Sequence, residues 1–330
     1  MTSPARSLLD FMSANSVSLP GGFAEIRVRG KTTFVPSAAI DGRTVIQTGK
    51  WLKTAVIRDQ EYIEGELVKN PASFLEALKN SELKADLFTF LQRPPDVTPK
   101  FSYHFDWDNY AAVPISTFEN WWESVPQETR KNVRRAAKRG VTVKEVPFND
   151  ELARGIHKLC NETPVRQGKP FWHFGKNFET VKCEHATYLE RSDFIGAFFE
   201  NELIGFIKII YVDRLAHILH ILAANAHYDK RPINALISKA VEVCAQKRVA
   251  YFVYGQYTYG NKTQSSLVEL KRRNGFEQVK FPCYYVPLTW KGKIALALRL
   301  YRGAVGLLPA PILNRALAAR DWLYQRKMNS

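Results

Sequence analysis

Residues suited to chemistry gather in a few short stretches of this chain. His227-Tyr228-Asp229-Lys230-Arg231-Pro232 runs straight into a helical pattern. The free backbone N–H groups of a helix start, beside Lys230 and Arg231, make a place ready for a phosphate, and proline is favourable there. Further upstream, PVRQGKPFWHFGKNF sets Arg166, Lys169, Trp172 and His173 among prolines and glycines. Cationic and aromatic side chains on a loop either line a binding pocket or pack back onto the core, and we take the pocket. Tyr254, Tyr257 and Tyr259 surround the end of the strand-like VAYFVYG, and Lys271 stands four residues before Gly275 in LKRRNGF. His217 and His220 lie three apart in an apolar strand pattern, which predicts opposite faces and no shared site. No metal site is expected.

These residues need elements to hold them. FIGAFFENELIGFIKIIYV predicts a hairpin turning at residues 200–202, and RLAHILHIL a third strand. Residues 234–247 predict a helix with Ile233, Leu236, Ile237, Ala240, Val241 and Cys244 on one buried face. VAYFVYG, the helix ending KRRNGF and the strand QVKFPCYYVPL complete the stretch 194–287. Upstream, alternating segments from Phe23 predict strands, Asn70-Pro71 opens a helix with Phe74, Leu75 and Leu78 on one face, and ADLFTFLQ predicts a buried strand. Helices are also expected at 150–163 and 178–191. Positions 130–139 carry Arg130, Lys131, Arg134, Arg135, Lys138 and Arg139, closed by Gly140. That is either a solvated helix or an anion-binding one.

Composition bounds the reading. The 330 residues carry 45% apolar side chains and a formal charge of +15, which favours a globular fold and an anionic partner. Cys160, Cys183, Cys244 and Cys283 show no metal-ligand spacing; Cys183 and Cys244 read as small apolar fillers, and a cytoplasmic setting fits them. No apolar run is long enough to span a membrane. Residues 291–330 hold eight basic residues against one acid, Asp321, among Leu and Ala stripes, with Trp322 and Tyr324 suited to a headgroup level. A basic amphipathic helical tail lying on an anionic membrane is the expectation, with the same helices packed on the protein as its alternative.

The order of elements resembles the GNAT (N-acetyltransferase-like) fold: a mixed, mostly antiparallel sheet flanked by helices, in the α/β (α+β) class. It is most similar to the Fem-type branch, which carries a basic helix ending in glycine between two GNAT-like repeats, here NVRRAAKRGVTV, and a lysine four residues before a glycine, here Lys271. The expected domains are a degenerate, shortened first repeat (1–112), the acyltransferase domain (113–288) and the tail (289–330). Where GNAT enzymes carry a glycine-rich pyrophosphate signature, this chain has Asp229-Lys230-Arg231-Pro232-Ile233-Asn234. The resemblance implies transfer of an acyl or aminoacyl group to an amine of an amino sugar or cell-envelope precursor, which is lipid-linked in much of that branch. The donor would be acyl-CoA, with aminoacyl-tRNA as the alternative. It puts Lys271 at the tetrahedral oxyanion; by residue type and position, Lys230, Arg231, Asn234 and Tyr254 are the candidates for the donor, and Arg166, Lys169, Trp172 and Tyr259 for the acceptor. Tyr257 and His173 would move protons. A catalytically inactive scaffold binding anionic lipid or glycan is the rival; nucleic-acid binding by the 130–139 helix ranks last, and no DNA partner is expected.

Overall fold

The computed structural model describes residues 18–19, 22–28, 31–166, 169–258 and 266–303. The first repeat is a meander of β1 (Ser18–Leu19), β2 (Phe23–Val28), β3 (Lys31–Ile40), β4 (Arg43–Thr48) and β5 (Thr54–Ile57). Helix α1 (Pro71–Asn80) crosses over to β6 (Leu87–Leu91), which runs parallel to β5. The Asn70 side chain caps α1 at the N–H groups of Ala72 and Ser73, and Phe74, Leu75 and Leu78 are buried, as their spacing predicts.

After β7 (His104–Pro114) come α2 (Phe118–Ser124), α3 (Gln127–Lys138), β8 (Thr142–Val146), α4 (Asp150–Cys160), the small hairpin β9 (Val165–Arg166) and β10 (Lys169–Pro170), and α5 (Phe178–His185). A second meander follows: β11 (Ser192–Phe199), β12 (Glu202–Val212) and β13 (Leu215–Ala223). Helix α6 (Pro232–Gln246) crosses over to β14 (Tyr251–Val253), parallel to β13, and α7 (Ser266–Arg273), β15 (Glu277–Pro287) and α8 (Trp290–Ala297) close the order. Both halves thus repeat one scheme: antiparallel strands, a crossover helix, then a parallel strand.

The two schemes share one sheet, in the order β1-β2-β3-β4-β5-β6-β15-β7-β14-β13-β12-β11-β8. β15 lies between β6 and β7, so the late strand of one half pairs with the other half. Residues 87–91 are buried throughout because helices and loops cover both faces, and such strands read as continuous apolar runs. Helices α2, α3 and α6 share one core with Ile207 and Ile209. Helices α4 and α5 pack on the other face, against Phe194 and Phe206.

Local departures have local causes. Glu200 and Asn201 both take positive φ (50° and 64°), so the β11–β12 hairpin closes on a tight two-residue loop. Helix α5 stops at His185 instead of reaching 191, and Tyr188 turns left-handed (φ 53°). It buries Val181, Glu184 and His185, which leaves Cys183 exposed rather than filling the core; Cys244 is buried as expected. In β13 the register shifts beside Leu219: His220 pairs with Lys208 and His217 with Ile210. Lys208 and Ile210 share a face of β12, so the bulge returns both histidines to one face, against the expectation from simple alternation.

Candidate functional site

Strands β13 and β14 are paired only from Leu215–Tyr251 to His217–Val253. Beyond that point β14 stays with β7, where Tyr254 N donates to the Ala111 carbonyl and Ala111 N to that of Gly255, both at 2.8 Å. β13 meanwhile continues to Ala223 along β12. Two parallel strands that part in this way open a wedge lined by backbone polar groups, each of which needs a partner.

The loop leaving β14 is held from two sides. The Asn109 side chain accepts from the backbone N–H groups of Tyr257 and Thr258, each at 3.0 Å. Its buried neighbour Asp108 accepts from the Gln256 amide at 3.3 Å. From α7, Lys271 Nζ donates to the Gln256 carbonyl at 2.6 Å and lies 4.7 Å from the Tyr254 ring centre. Lys271 is 0% exposed, and burial pulls its ammonium down to about 7. At neutral pH this lysine therefore exchanges between ammonium and amine.

Helix α7 is itself clamped. Trp121 Nε1 of α2 donates to the Asn274 carbonyl (3.0 Å), and Thr129 Oγ1 of α3 to that of Arg273 (2.7 Å). The Asn234 amide at the start of α6 donates to Asn274 Oδ1 at 3.2 Å. Gly275 has φ 82°, and a Cβ there would lie 3.0 Å from Trp121 Nε1. Asn234, Tyr254, Tyr257 and Lys271 are thereby gathered on the α6 face; Tyr259 lies outside the described residues.

The segment before α6 is built differently from a glycine-rich phosphate cradle. The Glu162 carboxylate accepts from the N–H groups of Asn225 and Ala226 at 2.8 and 2.9 Å. Arg139, at the end of α3, holds the Asp229 carbonyl and carboxylate at 2.6 and 2.9 Å. Arg231 is left-handed (φ 59°) ahead of Pro232. The Glu162 carboxylate thus already takes the N–H groups of Asn225 and Ala226, and residues 229–234 hold no glycine, so the segment does not match the usual pyrophosphate cradle. Lys230, over the Phe199 ring at 4.5 Å, and Arg231, over Tyr228 at 5.5 Å, offer charge alone.

Arg166, Trp172 and His173 sit apart from Lys271, with α4 and α5. Arg166 spends its charge on Glu162 (2.8 Å) and on the Ala223 carbonyl (2.8 Å), tying its loop to the end of β13. Trp172 is exposed, with Lys176 4.2 Å above its ring. The Lys169 backbone lies in β10. His173 is held neutral: burial, then Lys176 and Arg166, push it down to about 3. The ordinary basicity that a proton-accepting role for His173 would need is therefore not what its surroundings give it.

His173 belongs to a buried group that sequence reasoning missed. Its ring centre is 6.5 Å from that of His220, which is 4.3 Å from that of His185. Below them Lys208, 0% exposed, donates to the His185 carbonyl (2.8 Å), to Thr187 Oγ1 (3.1 Å) and to the Thr187 carbonyl, and burial brings it to about 7. The signal was present in FIKIIYV, where a lysine stands in a run with no polar face. Farther along the same face His217 meets the rings of Tyr62 (5.7 Å) and Tyr110 (5.5 Å). Tyr62 in turn lines a cavity of about 680 Å³ with Arg43, Arg58, Asp59, Tyr188 and Arg191. Among the described residues no group of three or more His, Cys, Asp or Glu is placed to hold a metal ion.

No family model and no curated protein sequence matches the chain. Among solved structures it is similar to FemX, with a TM-score of 0.54 and 11% identity over 90% of this chain and 92% of that one. It is also similar to L-PGS from Bacillus licheniformis, with a TM-score of 0.50 and 15% identity over 81% of this chain and 89% of that one. The sheet order, the paired crossover schemes and these superpositions agree: the chain has a tandem GNAT-like fold, shared with these structures.

Proposed function

We propose that the chain is an N-acyltransferase, moving an acyl or aminoacyl group from a thioester or aminoacyl-ester donor to an amino group of an amino sugar or cell-envelope precursor. The observation that carries this is the wedge beyond His217 and Val253, with buried Lys271 at the loop that leaves its β14 wall. The acceptor's neutral amine attacks the acyl carbonyl carbon and forms the C–N bond. The tetrahedral oxyanion then collapses, the C–S or C–O bond breaks, and the leaving group takes the proton that the amine loses. Lys271 as ammonium stabilises the oxyanion, a contribution of about 3 kcal/mol for one well-placed donor. No side-chain base is needed, which accords with the weak basicity of His173. The acceptor class follows the Fem-type branch, whose enzymes build peptidoglycan cross-bridges.

We assign acceptor binding to the cavity at Arg43, Arg58, Asp59, Tyr62, Tyr188 and Arg191, where Tyr62 packs on His217, the last β13 residue paired with β14. Its mixed charges suit a zwitterionic or amine-bearing molecule. Complete burial of Lys271 favours a second reading, a non-catalytic scaffold in which the lysine pins the Gln256 loop. A binding and transfer screen with CoA thioesters and charged tRNA separates the two. Binding and turnover of either donor supports the enzyme, and binding of neither retires it in favour of the scaffold.

A further inference from the structure

Helix α8 turns its small residues inward. A Cβ on Gly292 would lie 2.0 Å from the Asp86 carbonyl oxygen, and Ala295 is fully buried. Leu296 leans on the core, but Trp290, Ile294 and the C-cap residue Leu298 are 74%, 47% and 61% exposed, at successive i, i+4 positions of one stripe. A surface helix ordinarily does the reverse. Trp51, 62% exposed, stands beside the stripe, with Lys291 over its ring at 4.9 Å and donating to its carbonyl.

The charge around this stripe is mainly positive, with Glu82 an exposed acid on the neighbouring segment. Residues 289–303 carry Lys291, Lys293, Arg299 and Arg302 and no acid; Arg302 is spent on Asp106 at 2.6 Å, which leaves the two lysines and Arg299 as the cations of this face. At 100° per residue, Lys291 and Lys293 flank the stripe on its two sides, and Lys50 and Lys84 are exposed on the segments that α8 packs against. The carboxylate of Asp86 is buried and already accepts from Lys53 N, Thr289 and Lys291.

We propose that this face docks on a membrane surface rich in anionic phospholipid. Trp290 and Trp51 would sit at the headgroup level, Ile294 and Leu298 at the acyl boundary, and Lys291, Lys293 and Arg299 on headgroup phosphates. Charge decides among occupants. Residues 304–330 carry Arg315, Arg320, Arg326 and Lys327 against Asp321, the same sign as α8, and a second copy would set the same cations against themselves. An anionic lipid surface complements both the apolar stripe and its flanks. The inference goes beyond the transfer reaction and stands without it, because docking needs neither donor nor acceptor.

The test is flotation of the full chain with vesicles of phosphatidylcholine alone and with vesicles holding roughly a third phosphatidylglycerol. The parent is expected to float with the anionic vesicles and to lose binding as salt rises. Trp290→Glu with Ile294→Glu and Leu298→Glu should lower partitioning at least ~10-fold with an unchanged unfolding midpoint, since all three side chains are exposed. Lys293→Glu with Arg299→Glu should weaken the anionic binding alone. Absence of parent binding overturns the proposal, as does a triple variant that floats like the parent, which would transfer the role to residues 304–330. A parent dimer that the triple variant dissolves, without vesicle binding, overturns it in favour of a second copy.

Discussion

Lys271 is where chemistry and packing compete most directly. Lys271→Met keeps the length of the side chain and removes the charge. If the ammonium serves the oxyanion, kcat should fall at least ~100-fold, with a modest change in unfolding midpoint. If the lysine only pins Gln256, the orphaned carbonyl costs about 1–3 kcal/mol of stability and turnover by the remaining folded protein is unchanged. Kinetics and thermal unfolding on one preparation distinguish these outcomes. The pH profile offers an independent check. An oxyanion partner must be protonated, so its contribution is lost as pH rises through about 7, where burial sets Lys271; Lys271→Arg should move that falling limb upward. The acceptor side has its own test at Asp59, which tolerates its left-handed backbone as Asn would. Asp59→Asn should raise the acceptor KM about tenfold, the scale of one lost charge-assisted bond, and leave the donor KM alone. Stability responds to the histidines with a definite sign. His173 and His185 titrate at about 3 when folded against 6.5 in the unfolded chain, so the unfolded chain binds more protons between those values and stability falls as pH drops from 6.5 toward 3. Each such proton contributes a slope of about 1.4 kcal/mol per pH unit, and His185→Gln should flatten urea-unfolding stability against pH by about one proton. Lys208 behaves in the opposite range: it titrates at about 7 when folded against 10.5, so stability gained from its deprotonation appears as pH rises from 7 to 10.5.

At the scale of elements, periodicity carried far. The faces of α1 and α6, the β11–β12 hairpin and the order of parts from 194 to 287 were all legible, because apolar spacing and turn residues are local signals. What was lost was set by partners distant in sequence. Alternation alone put His217 and His220 on opposite faces, and only pairing with β12 reveals the bulge. Asp108 and Asn109 read as ordinary polar residues, since their role depends on a loop more than 140 positions away. Lys271 was named from resemblance, and Asn234, Tyr254 and Tyr257 from their places at a helix start and a strand end; the bond between Asn234 and Asn274 was not foreseeable. Arg166 and Trp172 carried the right loop chemistry, yet Glu162 consumes the arginine. The clamp on α7 supplies an element-scale prediction. Gly275→Ala places a β-carbon against the Trp121 indole at a left-handed backbone position, and should lower stability by about 1–2 kcal/mol in denaturant. It should also reduce transfer, because α7 carries Lys271.

For the molecule as a whole, the proposed boundaries at 112 and 288 divide the sequence, while the sheet runs on from one side to the other. β15 pairs with β6 over Cys283–Leu91 to Pro287–Leu87 and with β7 over Glu277–Ala112 to Tyr285–His104. Aromatic packing follows that seam: Phe90 stacks on Tyr284 at 5.0 Å and Tyr110 meets Phe281 at 4.4 Å. A seam of this kind couples the two halves. Phe90→Ala should cost about 3–5 kcal/mol and shift far-UV circular dichroism and tryptophan fluorescence together, in one transition; two separated transitions would show the halves to be independent. No helix among the described residues is long and apolar enough to cross a membrane.

The position of β15 also bears on how the chain is made. A ribosome delivers β6 almost two hundred residues before the strand that covers its edge. Throughout that interval the first half presents an apolar, unpaired edge, the kind that recruits strands from other chains. Assembly of the sheet therefore closes with insertion of a keystone, and a chain released early, short of residue 277, would carry every other described strand of the sheet and still be open at its middle.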